Sequence, residues 1–208
     1  MRKIILTLMV LGAGLSAIAQ NTYGLDDGNA RATRRQKSMS AWQKDMDEFK
    51  ARSAHDRQLN ALADSLASVQ GRAALVNQDF VLEATSVTFK NGTTTFVNST
   101  TNFISLKGNN AVVQISPRCF ASGPNGVGGV TVEGNVSDLR VRTDSKGRTT
   151  LSMNVMGIGI NAQVEVYMNP NTNRASATVY PNFNSNTVWL QGTIVPYENS
   201  NVFEGNSL

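Results

Sequence analysis

The stretch Thr149–Val166, TTLSMNVMGIGINAQVEV, constrains the fold more than any other part of this chain. Apolar and polar residues alternate in both of its halves, with Gly157-Ile158-Gly159 between them. In the second half Ile160, Ala162, Val164 and Val166 share one side, and Asn161, Gln163 and Glu165 the other. A period of two is the mark of a half-buried strand, and two such runs joined by a short glycine turn read as a β-hairpin. Burying one Ile and two Val contributes about 5–8 kcal/mol before chain entropy is subtracted. A slip of one residue would turn the whole set toward water, so the pattern also sets the register.

The same period runs through everything after Asp79. Phe80, Leu82 and Ala84 alternate, and Val87 and Phe89 continue out of phase, which predicts a bulge at Thr85-Ser86. Asn91-Gly92 is a hairpin turn signal. Short strands are expected at 93–97, 102–106, 111–115, 129–134, 136–142, 175–180 and 187–195, separated by polar or glycine-containing links. The prediction is a mainly β domain over 79–197, an antiparallel meander of about nine or ten strands closed as a barrel or stacked as a sandwich. No helices intervene between the strands, which rules against a parallel α/β sheet. With 40% hydrophobic and 16% charged residues in 208, there is enough apolar material for one sizeable core, and 17 Gly suit many turns.

The β region is preceded by a segment of different character. Residues 38–72 lack Pro, have Gly only at 71, and are rich in Ala, Leu, Lys and Gln, so they read as helix. Met39, Trp42, Met46 and Phe49 are spaced 3-4-3, as are Leu59, Leu62, Leu66 and Val69. Ten residues separate the quartets, which places the two stripes on nearly opposite sides. That predicts either a break near Ser53, where Ser53-Ala-His-Asp56 resembles a capping start, or one long helix with different partners along its length. Gly71 is a plausible stop. The stripes are expected to pack within the molecule; the alternative is self-association or envelope contact through this helix. Residues 20–37, with Gly24, Gly28 and the cluster Arg31, Arg34, Arg35 and Lys37, read as a flexible lead-in, or alternatively a basic patch for anionic lipid or polysaccharide. Residues 198–208 form a C-terminal tail.

Residues 1–19 have the layout of a secretory signal. Arg2-Lys3 is a positive start, Ile4–Leu15 an apolar run short for a bilayer, and Ala17-Ile18-Ala19 a cleavage site before Gln20. The expected address is periplasmic or secreted. No Cys follows the apolar run, so a lipid anchor there is excluded, and no later run is long enough to predict a transmembrane helix. Removing Arg2 and Lys3 from 19 basic residues leaves 17 against 15 acidic ones, a balance that does not favour nucleic acid.

Few residues offer chemistry. His55 is the sole histidine and lies among charged helical residues, far from any nucleophile, so it reads as solvated and a His-dependent hydrolase is not expected. Cys119 is the sole cysteine, which leaves no internal disulfide and, with one His, no ordinary zinc site. Arg118 could lower its thiol pKa, but a spectator thiol is the simpler reading. The run Gly123–Gly129 is followed by a strand pattern and not a helix, so it reads as a turn, or as the rim of a pocket, and not as a phosphate loop. Glu133 and Glu165 fall on polar strand faces; a carboxylate-based glycoside hydrolase would need them about 5–10 Å apart. Arg140, Arg142, Lys146 and Arg148 gather around one hairpin and read as a solvated edge. No catalytic, metal-binding or cofactor-binding residue is nominated.

Several motifs resemble one family: Asp79–Ala84, Asn98–Phe103, Ser122–Gly134, Asn154–Gly157, Pro181–Ser185 and the ending Ser200–Leu208. In their order they resemble the exported family known as domain of unknown function 4251, typical of Bacteroidetes-type bacteria. The resemblance covers Asp79 to the C-terminus and implies an exported, mostly β domain, with no catalytic residue to carry over.

The functional expectation is therefore a non-catalytic structural or binding β domain of the cell envelope. The inward candidates Val130, Val132, Leu151, Met153, Val155, Ile160, Ala162, Val164, Ala175, Ala177 and Val179 include several small residues. Small linings either bring two sheets together in a dry sandwich or leave a cavity. The packed interior is preferred, since apolar faces usually meet each other. The alternative is a periplasmic carrier of a lipid or other apolar molecule, with Ser116–Gly129 at its mouth.

Overall fold

The computed structural model describes residues 27–116, 129–157, 161–182 and 186–206. The readings of the signal at 1–19, of Arg118 and Cys119, of residues 123–128 and of Ile158–Ile160 lie outside the described residues. The chain divides into two units, residues 1–53 and 54–208. One helix, α1 (Asp27–Val76), enters both, and nine strands follow: β1 (Asp79–Phe89), β2 (Thr94–Phe96), β3 (Phe103–Lys107), β4 (Asn110–Ile115), β5 (Val130–Thr143), β6 (Thr149–Gly157), β7 (Asn161–Met168), β8 (Arg174–Pro181) and β9 (Val188–Pro196). A short 3₁₀ turn, Tyr197–Asn199, closes the series. Among the described residues no helix is long and apolar enough to cross a membrane.

In the first unit the helix starts at Asp27, eleven residues ahead of the expected start at Ser38 and inside the segment expected to be a flexible lead-in. The reason is local. Ala, Arg, Gln and Lys dominate 30–37 and are good helix formers. Ser38 and Ser40 donate their hydroxyls to the Arg35 and Lys37 carbonyls at 2.8 and 2.9 Å, so they bond backward along the helix and do not cap a new one. Helix continues through Ser53 without a break. Met39, Trp42 and Phe49 are exposed.

In the second unit the expected packing stripe is also exposed: Leu59, Leu62, Leu66 and Val69 lie between 52 and 68% accessible. The opposite side of the helix docks instead, through Ser68, Gly71, Ala74 and Leu75. Gly71 does not end the helix. A Cβ there would come within 3.2 Å of Met168 Sδ and 3.4 Å of the Ile194 carbonyl, so glycine allows the close approach. The helix ends at Val76, and Gln78 turns the chain with a left-handed φ of 59°.

All strand pairs are antiparallel, in the order β2-β1-β3-β4-β5-β6-β7-β8-β9. Strand β9 returns to pair with β1 over nine registered positions, from Phe80↔Pro196 to Phe89↔Val188. This closes β1 and β3–β9 into an eight-stranded barrel and decides between the barrel and the sandwich. Strand β2 lies on the same edge of β1 as β3, further along it. The bulge falls where the phase change predicts it: the register of β1 against β9 shifts between Ala84 and Ser86. A Cβ on Gly192, the partner of Ala84, would run into the Glu83 carbonyl.

The strands expected at 129–134 and 136–142 are one, the 14-residue β5. A break was expected there, but the irregularity is a bulge between Ser137 and Arg140, with Asp138 at φ 53°. The strands β6 and β7 are the predicted hairpin, registered from Thr149↔Met168 to Met156↔Asn161. Leu151, Met153, Val155, Ala162, Val164 and Val166 are buried in its inner face. Val130 keeps the expected inward side, two residues before buried Val132, but at the start of β5 46% of its surface is exposed.

A second, smaller cluster lies on the opposite face of β1, β3 and β4. Val81, Phe103 and Val112 are covered by Val195, Tyr197 and Val202. The segment expected to be a tail is thus part of the fold. Phe203 N donates to the Thr100 carbonyl at 2.7 Å, and Lys107 Nζ lies 4.7 Å from the Tyr197 ring centroid.

Candidate functional site

The two ends of the barrel differ. One end carries the turns 108–109, 144–148 and 169–173 and receives the last turns of α1. Leu75 is fully buried in the barrel core, and Arg72 Nη2 donates to the Gly147 carbonyl at 3.4 Å. The helix therefore stoppers this end. Fully buried Phe80, Leu106, Met168 and Ile194 fill the space next to it.

At the other end the described residues leave a space. A cavity of about 760 Å³ lies among the far ends of the strands. Sites that enclose small molecules occupy about 300–1,000 Å³. Its walls are Phe89 of β1, Val113 and Ile115 of β4, Val130 and Val132 of β5, Ala162 of β7, Val179 and Pro181 of β8, and Val188 of β9. The cause of the void is side-chain size. Eight strands enclose just enough room for side chains, or for one small ligand where those side chains are short. Here Val132, Ala162, Val179 and Val188 present short side chains to the interior.

Among the described residues of the lining, the polar groups stand along one edge. Lys90 and Asn91 follow β1, and Asn186 and Thr187 precede β9. Phe89↔Val188 is the last registered pair of the β1–β9 seam, so these four residues stand just beyond it. Gly92, at φ 83°, makes the turn that carries Lys90 and Asn91, and the Gly92 amide donates to the Phe89 carbonyl at 2.8 Å. Gly129 also lines the cavity, with φ 141°; a Cβ there would run into the Ile115 carbonyl.

The other candidates from the sequence are not brought together. Glu133 accepts from Asn110 Nδ2 at 2.9 Å, whereas Glu165 accepts from Tyr167 Oη at 2.7 Å and Gln163 Nε2 at 3.3 Å. Glu165 sits opposite Ser152, and Gly134, next to Glu133, sits opposite Gly157. Five residues of strand separate those positions, about 17 Å, which is too far for a glycosidase pair. His55 is exposed, its Nδ1 3.9 Å from Asp56 Oδ1. Arg140, Arg142, Lys146 and Arg148 are exposed around the β5–β6 turn, where Asp144 Oδ1 accepts from the Lys146 and Arg148 amides. Among the described residues no three His, Cys, Asp or Glu gather as a metal site.

Two groups have raised pKa values. Tyr167 is raised first by its hydrogen bond to Glu165 and then by burial. The Glu204 carboxyl is raised by burial and by the charge of Glu133. Neither lines the cavity.

Of the inward candidates, Val130, Val132, Ala162 and Val179 line the cavity. Phe89, Val113, Ile115 and Val188 complete the apolar wall, and the alternation of Ala111, Val113 and Ile115 is the local signal for two of them. The polar residues Lys90, Asn91, Asn186 and Thr187 read as turn residues, and nothing local marks them as neighbours.

The model of the family described as "Domain of unknown function (DUF4251)" matches residues 64–194, beginning inside α1 and not near Asp79. A crystal structure of a DUF4251 family protein from Bacteroides eggerthii DSM 20697 superposes with a TM-score of 0.61 at 44% sequence identity. The match covers 69% of this chain and 96% of that one. No curated protein matches the chain. On these two matches the chain belongs to the DUF4251 family.

Proposed function

We propose that this protein is an exported binding domain that carries a small apolar molecule inside its barrel. The observation that carries the reading is the cavity of about 760 Å³ walled by Val, Ile, Ala, Phe and Pro. Each buried CH₂ of a ligand there contributes about 0.8 kcal/mol, so a chain of ten or more carbons supplies ample binding energy. A barrel stoppered at one end, with a cavity among the described residues of the other, suits a carrier better than a purely structural part. Export rests on Arg2-Lys3, the apolar run Ile4–Leu15 and Ala17-Ile18-Ala19. The envelope is also where an apolar cargo would need shielding from water.

The test is native mass spectrometry of protein purified from its own cells without detergent, followed by solvent extraction. A stoichiometric apolar compound is expected. The variant Ala162→Phe, which puts a ring into the cavity, should fold and come out empty. Bare wild-type protein that also fails to take up a neutral fluorescent hydrophobic probe would overturn the proposal.

A further inference from the structure

We infer that the cargo is a single-chain amphiphile with an anionic head, of the long-chain carboxylic acid class, bound chain-inward with its carboxylate at Lys90. The inference rests on the binding reading above and adds an orientation and a charge. Its basis is the one-sided distribution of polar groups among the described residues of the lining. Lys90 and Asn91 leave β1 just past Phe89, and Asn186 and Thr187 enter β9 just before Val188. Because Phe89 and Val188 are register partners, the four polar residues cluster at the β1–β9 seam. Across from them the wall is apolar, with Ile115, Val130 and Val132.

The chemistry of that cluster is biased toward an anion. Lys90 is the one charged residue among the described residues of the lining, and its ammonium has only hydrogens to offer. The amides of Asn91 and Asn186 and the hydroxyl of Thr187 can all donate as well. No described lining residue is acidic, so none of them repels a carboxylate. An alcohol head would receive hydrogen bonds but no charge, and an amine head would face Lys90. The volume suits one chain, since a two-chain lipid exceeds the range of sites of this size. A carboxylate at the rim keeps most of its hydration while the chain is dry, which avoids the cost of burying a charge.

The experiment compares palmitate with hexadecanol, each displacing a neutral naphthylamine probe from the full protein at low salt and mildly alkaline pH. Wild type should hold palmitate about three- to fivefold more tightly than hexadecanol, the worth of one partly exposed ion pair. The preference should shrink toward unity in Lys90→Gln and in wild type at high salt. Lys90 is exposed in a turn, and a thermal melt of the variant confirms that it folds. If hexadecanol binds wild type as tightly as palmitate, or if the preference survives in Lys90→Gln, the head-group inference is overturned while the cavity reading stands. If neither compound displaces the probe and none binds directly, both fall.

Discussion

The side-chain amide of Gln114 ties the C-terminal strap to the barrel: its Nε2 donates to the Phe203 carbonyl at 2.9 Å, 89 positions further along the chain. The same nitrogen donates to the Thr101 carbonyl, and Oε1 accepts from Thr131 Oγ1 and from the Gly205 amide. All four hydrogen bonds that a Gln side chain can make are made, and the residue is fully buried.

Removing that amide strands buried partners on two sides. Gln114→Leu should cost about 2–3 kcal/mol, the scale of unsatisfied buried polar groups. Deleting Val202–Leu208 should cost a comparable amount, because it also uncovers Phe103 and Val112. The two changes act on one network, so the double variant should lose less than the sum of the singles. Denaturant melts of the four proteins decide this; strict additivity would mean that the strap and Gln114 are independent.

Gly71 separates a helix-stop role from a packing role. If it served only as a left-handed helix stop, replacing it by any residue with a side chain, Ala included, would cost about 1–2 kcal/mol. In the observed contact, Gly71→Ala should be near neutral, since the flexible end of Met168 can yield a few tenths of an ångström. Gly71→Leu should cost about 1–3 kcal/mol by overpacking against Met168, Asn173 and the Ile194 carbonyl. A stabilised Leu variant in thermal melts would refute the docking of α1 described above.

Val164 and Glu165 are adjacent and face opposite ways. Val164→Asp puts an unpaired charge into the barrel core and should prevent folding, read as loss of the cooperative melt. Glu165→Ala should leave the melt within about 0.5 kcal/mol. It should also lower the pKa of Tyr167, whose phenol is held above its ordinary value chiefly by the hydrogen bond to Glu165. A raised phenol pKa means that the fold favours the protonated form, so wild-type stability falls as pH rises through the phenol range. The Ala variant should lose that slope. Ultraviolet phenol titration and melts in alkaline buffer supply the readings, and an unmoved Tyr167 would contradict the assigned cause.

Glu204 gives a second pH dependence, in acid. Burial and the neighbouring Glu133 raise its carboxyl, so the folded protein retains a proton that the unfolded chain gives up. Stability contributed by that proton is present at low pH and is lost as pH rises through the carboxylate range. Glu204→Gln keeps the neutral form at every pH and should flatten the slope, with an effect of at most about 0.5 kcal/mol because the group is largely solvated. The check is the melting temperature of both proteins across the acid range. A variant that remains as pH-dependent as wild type would locate the titration elsewhere.

Period-two alternation is a property of neighbouring residues, and what depended on it was determined by the sequence. Leu151, Met153 and Val155 faced Ala162, Val164 and Val166, and the phase change after Ala84 marked the bulge, because each strand buries one face wherever it goes. Tertiary structure alone decided closure. Phe89 and Val188 lie about a hundred positions apart, and their pairing depends on the summed twist and stagger of every strand between them. The cavity follows from closure, since small side chains leave a void only once the ring has a diameter. So does the meeting of Lys90 with Asn186 and Thr187, which read locally as two unrelated turns. The apolar stripes of α1 show the same limit from the other side. Spacing identified Leu59, Leu62, Leu66 and Val69 as one face, but the barrel took the opposite face, where Gly71 permits a close contact.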